Sequence, residues 1–165
     1  VNEPVRRWRV TGTDLLPHFA DFDVDAFGID ADRLPAALGT SHQRVCFAGN
    51  LHPNALYDAL ADRRVYLHLN RWTSLGLSLI QAMLLGLPVV VLDTTESSRA
   101  VPTAAGARSG DINELVAAAR ALLADPHEAQ RRGLIARRAA LDRYGLPRFL
   151  HDRDLAFKET ADLTR

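Results

Sequence analysis

Several residue types that mark particular classes of protein are scarce or absent in this chain of 165 residues. Its single cysteine, Cys46, excludes an internal disulfide bond and is compatible with a reducing compartment. Because no apolar run approaches the length of a membrane span, we expect neither a spanning segment nor a signal peptide. The 20 basic and 20 acidic residues cancel, so no overall field attracts nucleic acid or a membrane.

Motifs for metal and dinucleotide chemistry are missing as well. The six histidines show no metal-ligand spacing, so no zinc site is predicted. Gly28 stands near a strand end, but the G-x-G-x-x-G run that NAD binding requires does not occur. We therefore predict no metal and no cofactor. One histidine, His68, lies near the carboxyl end of a predicted strand, where it suits either a pocket residue or a buried structural group.

The chain does have the composition of a soluble globular domain, with 47% hydrophobic and 24% charged residues. Its length suits one domain, taken as residues 1–165. Because it opens with Val1 rather than methionine, we expect an excised or processed piece. Lysine is nearly absent, since 19 of the 20 basic residues are arginine and the remaining one is Lys158.

Apolar patterns along the chain predict strands that alternate with helices. The predicted strands are Trp8–Thr11, Val24–Ile29, Val45–Ala48, Val65–Leu69, Val89–Leu92 and Ala104–Ser109. The predicted helices are Asp14–Phe19, Leu34–Leu38, Pro53–Asp62, Leu77–Leu85, Ile112–Leu123, Pro126–Tyr144 and Pro147–Ala161. This alternation is typical of an α/β fold with a parallel, doubly wound sheet of about six strands flanked by helices. Ligands of such sheets bind beyond the carboxyl ends of the strands, here residues 70–78 and 93–98.

The segment from residue 65 to residue 93 carries the clearest functional signal. Its loop delivers Ser74, Gly76 and Ser78 to the start of a helix, which Gly86 and Pro88 then terminate. Free N–H groups and the positive end of the helix dipole favour an anion at such a place. The pattern therefore predicts either a phosphate site or an ordinary turn with small residues.

The same residues carry a resemblance to a known family. The sequence TSLGLSLIQAM, followed by GLPVVVLD, resembles the donor-binding signature of retaining glycosyltransferases with the GT-B architecture, family 4 in particular. The similarity extends more loosely from Arg7 to about Phe157. Those enzymes have two Rossmann-like domains, and the C-terminal one holds the nucleotide sugar. The resemblance implies that this chain is a single Rossmann-like domain, the C-terminal half of a GT-B architecture.

Site residues follow from the resemblance position by position. Gly76, Leu77 and Ser78 match the backbone amides that stabilise the leaving diphosphate. Gln81 matches the glutamate that binds the nucleotide ribose, and a glutamine amide is a weaker acceptor than a carboxylate. Thr73 replaces the glutamate that contacts the sugar. The resemblance further includes Ser74 and Glu96 in the donor site; for all of these residues, ordinary capping and surface roles are the alternative.

The basic clamp of the family has no direct counterpart in this chain. Many members place an arginine and a lysine after the first strand of this domain, where this chain has the loop Thr11–Asp14. Arg6, Arg7 or Arg71 could substitute, and Arg71 is the best placed because it lies in the loop that faces the presumed phosphates, where a guanidinium can grip phosphate bidentately. An ordinary surface arginine is the competing interpretation. A further departure is Arg99, which stands where the family often has a glutamate.

Two functions therefore stay open at the sequence level. The first is the nucleotide-sugar-binding domain of a retaining glycosyltransferase that moves a hexose to a glycan or lipid acceptor. The second is a degenerate GT-B-like domain that acts as a non-catalytic interaction module, favoured by the departures at the clamp, the ribose and the sugar positions. A GT-B-fold epimerase or phosphorylase matches the signature less closely. The isolated domain is expected to be inactive.

Predictions about partners concern the C-terminal part of the chain. A terminal helix over about residues 146–162 is expected to pack on a missing N-terminal acceptor domain, since the resembling enzymes have such a crossing helix. Its apolar residues would then be exposed, which predicts self-association of the fragment. Seven arginines make the late helices basic, which suits either a solvated face or peripheral contact with anionic lipid. A cytoplasmic location and no nucleic-acid partner are expected.

Overall fold

The structure of the chain, a computed structural model, describes residues 3–72 and 75–163. Its strands are β1 (Val24–Phe27), β2 (Val45–Gly49), β3 (Tyr66–His68), β4 (Val89–Leu92) and β5 (Gly106–Ser109). Its α-helices are α1 (Leu34–Leu38), α2 (Pro53–Ala61), α3 (Leu77–Leu84), α4 (Ser97–Ala100), α5 (Ile112–Ala124), α6 (Pro126–Tyr144) and α7 (Leu146–Leu163). Short 3₁₀ helices cover Thr13–Phe19, Ala31–Arg33, Gly39–Ser41 and Thr103–Ala105.

All strand pairs in the described part of the chain are parallel, which confirms the predicted α/β class. The strands do not form one sheet, however. β1 pairs with β2, with Val24 opposite Val45, and β3, β4 and β5 form a second sheet in that order. The described residues therefore contain five strands rather than about six, and they lie in two separate sheets.

The predicted first strand, Trp8–Thr11, is wrong. The backbone N–H of Thr11 donates to the Arg7 carbonyl at 3.0 Å, and the N–H of Arg7 donates to Glu3 at 2.8 Å. The Thr11 hydroxyl donates to the same Arg7 carbonyl. Because these local turns satisfy the backbone, no neighbouring strand is needed. The Trp8 side chain packs beside β1 and α1 instead.

The centre of the molecule is β4, whose first three residues are completely buried. Val89 and Val91 face α3 and α6, while Val90 faces α5 through Leu115. A strand buried on both faces is a continuous apolar run, which is why the sequence VVVL was recognisable. Beside it, Gly106 in β5 approaches so closely that a Cβ there would lie 1.9 Å from the Val89 carbonyl oxygen.

Side-chain caps begin the two helices that the capping pattern predicted. The Asp111 carboxylate accepts a hydrogen bond from the Asn113 N–H, and Asp125 accepts from the N–H groups of His127 and Glu128 at 3.0 Å. These bonds satisfy amides that the first helical turn leaves without a partner. The helices α5 and α6 therefore begin where the sequence indicated.

The last helix, α7, is exposed along its whole described surface. It begins at Leu146, one residue before the predicted start, and its side chains through Ala161 lie in solvent. Five large apolar residues are among them, namely Leu146, Phe149, Leu150, Leu155 and Phe157. An apolar surface of this size is typical of an interaction site. No helix in the described ranges is both long and apolar enough to cross a membrane.

Candidate functional site

The candidate site lies where β3 and β4 end, at the edge that the parallel order predicted. Two loops leave this edge side by side, one after His68 and one after Leu92. The Thr94 hydroxyl ties them together by donating to the Asn70 carbonyl oxygen at 2.7 Å. The predicted site residues Thr73 and Ser74 belong to the first loop and lie outside the described residues.

Helix α3 starts in this edge with glycine at its N-cap. Gly76 has φ 79° and ψ 104°, a conformation that L side chains rarely adopt. Its carbonyl accepts the N–H of Leu79 at 3.1 Å, so the helical ladder begins here. No side chain from the described residues caps this end. The N–H groups of the first turn, which include those of Leu77 and Ser78, therefore form the electropositive end of the helix.

Ser78 turns toward the interior of the site. Its side chain is hydrogen-bonded to the Tyr66 hydroxyl, which lies on β3. Burial raises the pKa of Tyr66, and the hydrogen bond with Ser78 offsets part of that rise. The pair therefore places two hydroxyl groups, both neutral at pH 7, behind the start of α3.

Gln81 lies one turn further along α3 and on the same side of the helix as Ser78. Its Nε2 donates to the Tyr57 hydroxyl on α2 at 3.1 Å. The amide is thus held in place by a neighbouring helix rather than turned into open solvent. This contact orients Gln81 and leaves its carbonyl oxygen as the acceptor on the other side of the amide.

Arg71, the expected diphosphate clamp, is already engaged. Its guanidinium makes a bidentate pair with Asp14 at 2.6 and 2.9 Å, and it also donates to the Arg9 carbonyl at 3.0 Å. Hydrogen bonding to Arg71 lowers the pKa of Asp14, so this carboxylate stays ionised at neutral pH. A phosphate that approaches Arg71 therefore meets a neutralised pair rather than an isolated positive charge.

The second loop brings Glu96 to the surface. Glu96 is exposed, and its nearest cation is Arg99 at 3.8 Å, one turn along α4. The preceding residue, Thr95, has φ 52°, which is an uncommon conformation for a β-branched side chain. The buried Ser97 hydroxyl holds the turn by donating to the carbonyl oxygens of Leu92 and Thr94. The negative charge of Glu96 is partly offset by Arg99, the residue that stands where the family often has a glutamate.

His68 is a buried group on β3, only 3% exposed. Its ring stacks on Tyr66 with 6.2 Å between the ring centroids. Burial lowers the pKa of His68 from 6.5 to about 4, so the imidazole is neutral at pH 7. His68 is therefore buried, as expected for a structural group. It also lines a cavity of about 520 Å³, as expected for a pocket residue.

That cavity brings several of these residues together. Ser78, Gln81, His68 and Tyr66 all line it, along with Asn70 at the end of the first loop. Within the described ranges, no cluster of histidine, cysteine and carboxylate side chains is suited to hold a metal ion. The lining offers hydroxyl, amide and imidazole groups, which suit hydrogen bonds to a polar organic ligand.

Sequence reasoning missed the residues that orient the site. Tyr57, Tyr66, Thr94 and Asp14 each hold a predicted residue or loop, but none belongs to the recognised motif. Tyr66 had a weak signal, because it stands two residues before His68 and so on the same strand face. Sequence reasoning also did not single out Trp72, whose side chain is 76% exposed in the loop after β3.

Comparison with known families gives one match over most of the chain. The family model described as Glycosyl transferases group 1 matches residues 18–125, well over half of the sequence. The matched range includes β3, α3 and β4. It therefore covers the whole candidate site except Arg9 and Asp14, which contact Arg71. No curated protein sequence matches the chain.

Solved structures of similar fold come from larger proteins. Sucrose-phosphate synthase from Thermosynechococcus elongatus has a TM-score of 0.81 at 19% identity, over 94% of this chain and 43% of the synthase chain. A mutant of TarM from S. aureus, in complex with Fondaparinux, alpha-GlcNAc-glycerol and UDP, has a TM-score of 0.70 at 20% identity, over 86% of this chain and 32% of TarM. A second TarM structure has a TM-score of 0.65 at 18% identity, over 89% of this chain and 32% of that protein. This chain thus spans less than half of each neighbour, and the likeness is one of fold.

Proposed function

Because the chain belongs to the glycosyl transferases group 1, we propose that it is the nucleotide-sugar-binding domain of a retaining glycosyltransferase. The enzyme transfers a hexose from a nucleoside-diphosphate sugar to a glycan or lipid acceptor. The acceptor is held by a further domain, in keeping with neighbours of which this chain spans 43% and 32%. The domain alone binds the nucleotide and turns over no substrate.

The start of α3 is the observation that carries this proposal. Gly76 opens the helix without a side-chain cap, at the carboxyl edge of the sheet and inside the family-matched range. In this proposal the amides of Leu77 and Ser78 meet the diphosphate. As the bond to the sugar breaks, negative charge grows on the leaving oxygen, and fixed donors lower the energy of that state. The domain supplies donors and requires no covalent nucleophile.

The nucleoside is proposed to lie along α3 toward Gln81. The amide of Gln81, fixed by Tyr57, offers its carbonyl oxygen to the ribose hydroxyls. The sugar lies toward the two loops, where Glu96 is an exposed carboxylate. Thr73 and Ser74 complete the sugar side of the site in this proposal.

Arg71 is proposed to stabilise the diphosphate in competition with Asp14. The bidentate pair occupies the guanidinium face that would otherwise grip a phosphate. A diphosphate carries more negative charge than a carboxylate, so it attracts Arg71 more strongly once it is bound nearby. Asp14 therefore sets how tightly the site holds the leaving group.

A second candidate, the non-catalytic interaction module, is favoured by the same contacts. Arg71 and Gln81 are both satisfied inside the fold, by Asp14 and Tyr57. A module would need these residues only for its own stability. The two functions differ in one measurable property, which is affinity for a nucleoside diphosphate.

Titration calorimetry with UDP, GDP and ADP, and with UDP-glucose and GDP-mannose, tests the proposal. The expected result is binding of one nucleotide in the micromolar to millimolar range. Gly76→Ala should weaken this binding about ten-fold, because strain at the N-cap moves the first-turn amides. Gly86→Ala is the matched control, since Gly86 has φ 81° at the other end of the same helix. Absence of binding to the whole panel, or equal losses in both variants, would favour the module.

A further inference from the structure

An arginine outside the recognised motif, Arg108 on β5, contacts the second loop of the candidate site at two places. Its Nη1 atom donates to the carbonyl oxygen of Ser98 and to that of Val101, the second at 3.1 Å. Its Nε atom lies 3.5 Å from the Asp93 carboxylate. The segment from residue 93 to residue 101 begins with Asp93 and ends with Val101. One guanidinium therefore ties both ends of this segment to β5.

The sequence explains why Ser98 needs a donor from outside its own helix. In a continuing α-helix, the Ser98 carbonyl would accept the N–H of the residue four positions later. That residue is Pro102, which has no N–H. The helix α4 is only four residues long, so its own hydrogen bonds give it little stability. The Arg108 side chain supplies the donor that proline cannot, as basic side chains do at helix C-termini.

The turn before α4 has a conformation that needs support from its surroundings. Thr95 has φ 52°, and strained backbone of this kind persists only where neighbouring contacts hold it. Glu96 comes next as the N-cap residue of α4, and its carbonyl accepts the N–H of Ala100 at 3.0 Å. The direction of the Glu96 side chain therefore depends on the placement of α4, which Arg108 holds from the far end.

Arg108 reaches α4 along the inner face of the sheet. It is opposite Val91 in the ladder between β4 and β5, so the two side chains lie on the same face. Val91, Ala100 and Val101 belong to one apolar cluster on that face. The Arg108 side chain is half-buried beside this cluster, and its guanidinium already has three acceptors. It is therefore suited to fix α4 in place rather than to bind a ligand itself.

We propose that Arg108 is a positioning residue of the donor site, because it holds the turn that presents Glu96 to the sugar. This inference rests on the proposed function, in which Glu96 lies on the sugar side of the nucleotide-sugar site. Arg108 acts through the segment 93–101. The diphosphate contacts at the start of α3 belong to the other loop. Loss of Arg108 therefore weakens recognition of the sugar more than recognition of the nucleotide.

The test compares the affinity for a nucleotide with the affinity for the same nucleotide carrying a sugar, by calorimetry on the full chain. The probes are UDP with UDP-glucose, GDP with GDP-mannose, and ADP with ADP-glucose. Arg108→Leu should weaken binding of the nucleotide sugar, relative to its nucleotide, by about five-fold or more, since a misplaced carboxylate loses its hydrogen bonds to the sugar. Taking the ratio cancels any general loss of folded protein.

Arg132→Leu is the matched control for this variant. Arg132, on α6, also donates to a backbone carbonyl of the same strand region, that of Gly106 at 2.7 Å, but at the opposite end of β5. The ratio of the two affinities should change by less than about two-fold in this control.

A second substitution shows whether Arg108 acts through Glu96. In the original chain, Glu96→Gln should lower the affinity ratio by about five-fold, because it removes a charged acceptor. In the Arg108→Leu background it should change the ratio by less than about two-fold, because coupled residues are not additive. Hydrogen exchange at the amides of Arg99 and Ala100 should be about ten-fold faster in Arg108→Leu than in Arg132→Leu.

Three results would overturn this inference while nucleotide binding, and hence the proposed function, stays intact. An unchanged affinity ratio in Arg108→Leu would mean that Arg108 has no effect on the sugar. Additive effects of Glu96→Gln and Arg108→Leu would mean that Arg108 does not act through Glu96. Equal exchange in Arg108→Leu and Arg132→Leu would mean that α4 does not depend on Arg108. An original chain that binds none of the probes would instead reject the proposed function, and the positioning role with it.

Discussion

The side chains expected to meet a ligand are bonded within the protein. Arg71 is paired with Asp14, Gln81 with Tyr57, and Ser78 with Tyr66. Such contacts fix the direction of a side chain before a ligand arrives, which reduces the entropy lost on binding. They also mean that binding must exchange one partner for another. The affinity of the site therefore depends on Asp14 and the two tyrosines as well as on the motif residues.

Replacing Asp14 with asparagine tests this exchange directly. Asp14→Asn removes the charge that competes for Arg71, so a nucleoside diphosphate should bind more tightly, by about 1 kcal/mol. The measurement is calorimetry at low and high salt, with the larger gain at low salt. Asp152→Asn is the control, because Asp152 accepts hydrogen bonds from Arg148 through both carboxylate oxygens on α7, away from the candidate site. Unchanged or weaker binding by Asp14→Asn would show that Arg71 does not face the ligand.

The buried imidazole of His68 predicts a stability that depends on pH. Burial lowers its pKa from 6.5 to about 4, below its value in the unfolded chain. Between pH 6.5 and 4, His68 is therefore protonated in the unfolded state but neutral in the folded state. The free energy of unfolding should fall as pH falls through this window, by about 3 kcal/mol in total.

Urea denaturation of the original chain and of His68→Phe, from pH 7 to pH 4, measures this contribution. Phenylalanine keeps a ring to stack on Tyr66 but cannot be protonated, so the variant should lose less stability on acidification. Carboxylates titrate in both proteins and cancel in the comparison. His151→Phe, on the exposed α7, is the control for the loss of an imidazole. Parallel curves for the original chain and His68→Phe would contradict the lowered pKa.

At the scale of elements, local signals predicted helices better than the first strand. The bounds of α1, α6 and β4 agree with the prediction at both ends, and the other predicted elements, apart from Trp8–Thr11, differ by a few residues. The caps at Asp111 and Asp125 explain why α5 and α6 begin where they were predicted, because a cap fixes a helix start from residues close in sequence. The Trp8–Thr11 prediction failed because an apolar pattern cannot show whether a neighbouring strand is present.

The contact between α6 and the turn after α3 predicts a sharp effect of one methyl group. A Cβ at Gly133 would lie 1.9 Å from the Gly86 carbonyl oxygen. Alanine favours a helix over glycine by about 1 kcal/mol, but this clash forces α6 away from the turn. Gly133→Ala should therefore lower the free energy of unfolding by about 2 kcal/mol, measured by urea denaturation.

A control for this variant is available in the same chain. Gly110→Ala adds the same methyl group, but its Cβ would have no other atom within 4 Å. It should change the free energy of unfolding by less than about 0.5 kcal/mol. A Gly133→Ala protein as stable as Gly110→Ala would show that α6 does not approach the turn so closely.

At the scale of the whole molecule, the predicted resemblance to GT-B glycosyltransferases is confirmed by the family match and the similar folds. The retaining reaction, the donor and the cytoplasmic location stay predictions. Four of the seven arginines in the late helices are paired with carboxylates. Arg131 and Arg132 pair with Glu128, Arg138 with Asp142, and Arg148 with Asp152. These pairs weaken the attraction to anionic lipid that the arginines predicted.

The exposed apolar residues of α7 predict self-association of the chain. Phe149 is 51% exposed and Phe157 is 62% exposed, on a helix whose described side chains lie in solvent up to Ala161. Burying them against a second copy releases water from apolar surface. Phe149→Gln with Phe157→Gln should raise the dissociation constant of the dimer at least ten-fold in sedimentation equilibrium.

Leu134→Gln is the matched control, since Leu134 is 62% exposed on α6 and lies outside α7. It should leave the dissociation constant unchanged. A chain that sediments as a monomer at every concentration, with α7 amides exchanging as slowly as β4, would show that α7 needs no partner.

The sequence by itself determined the parallel α/β class, the position of the helix start at Gly76, and the resemblance that the family match confirms. Each depends on residues close in the chain, because the periodicity of apolar residues, helix capping and glycine conformation act over a few positions. Only the tertiary structure decided what the site residues contact. Asp14 is 57 residues from Arg71, and Tyr57 is 24 residues from Gln81. The strand order within the two sheets of the described residues was likewise invisible, because strand order is set by contacts between distant segments and leaves no local pattern.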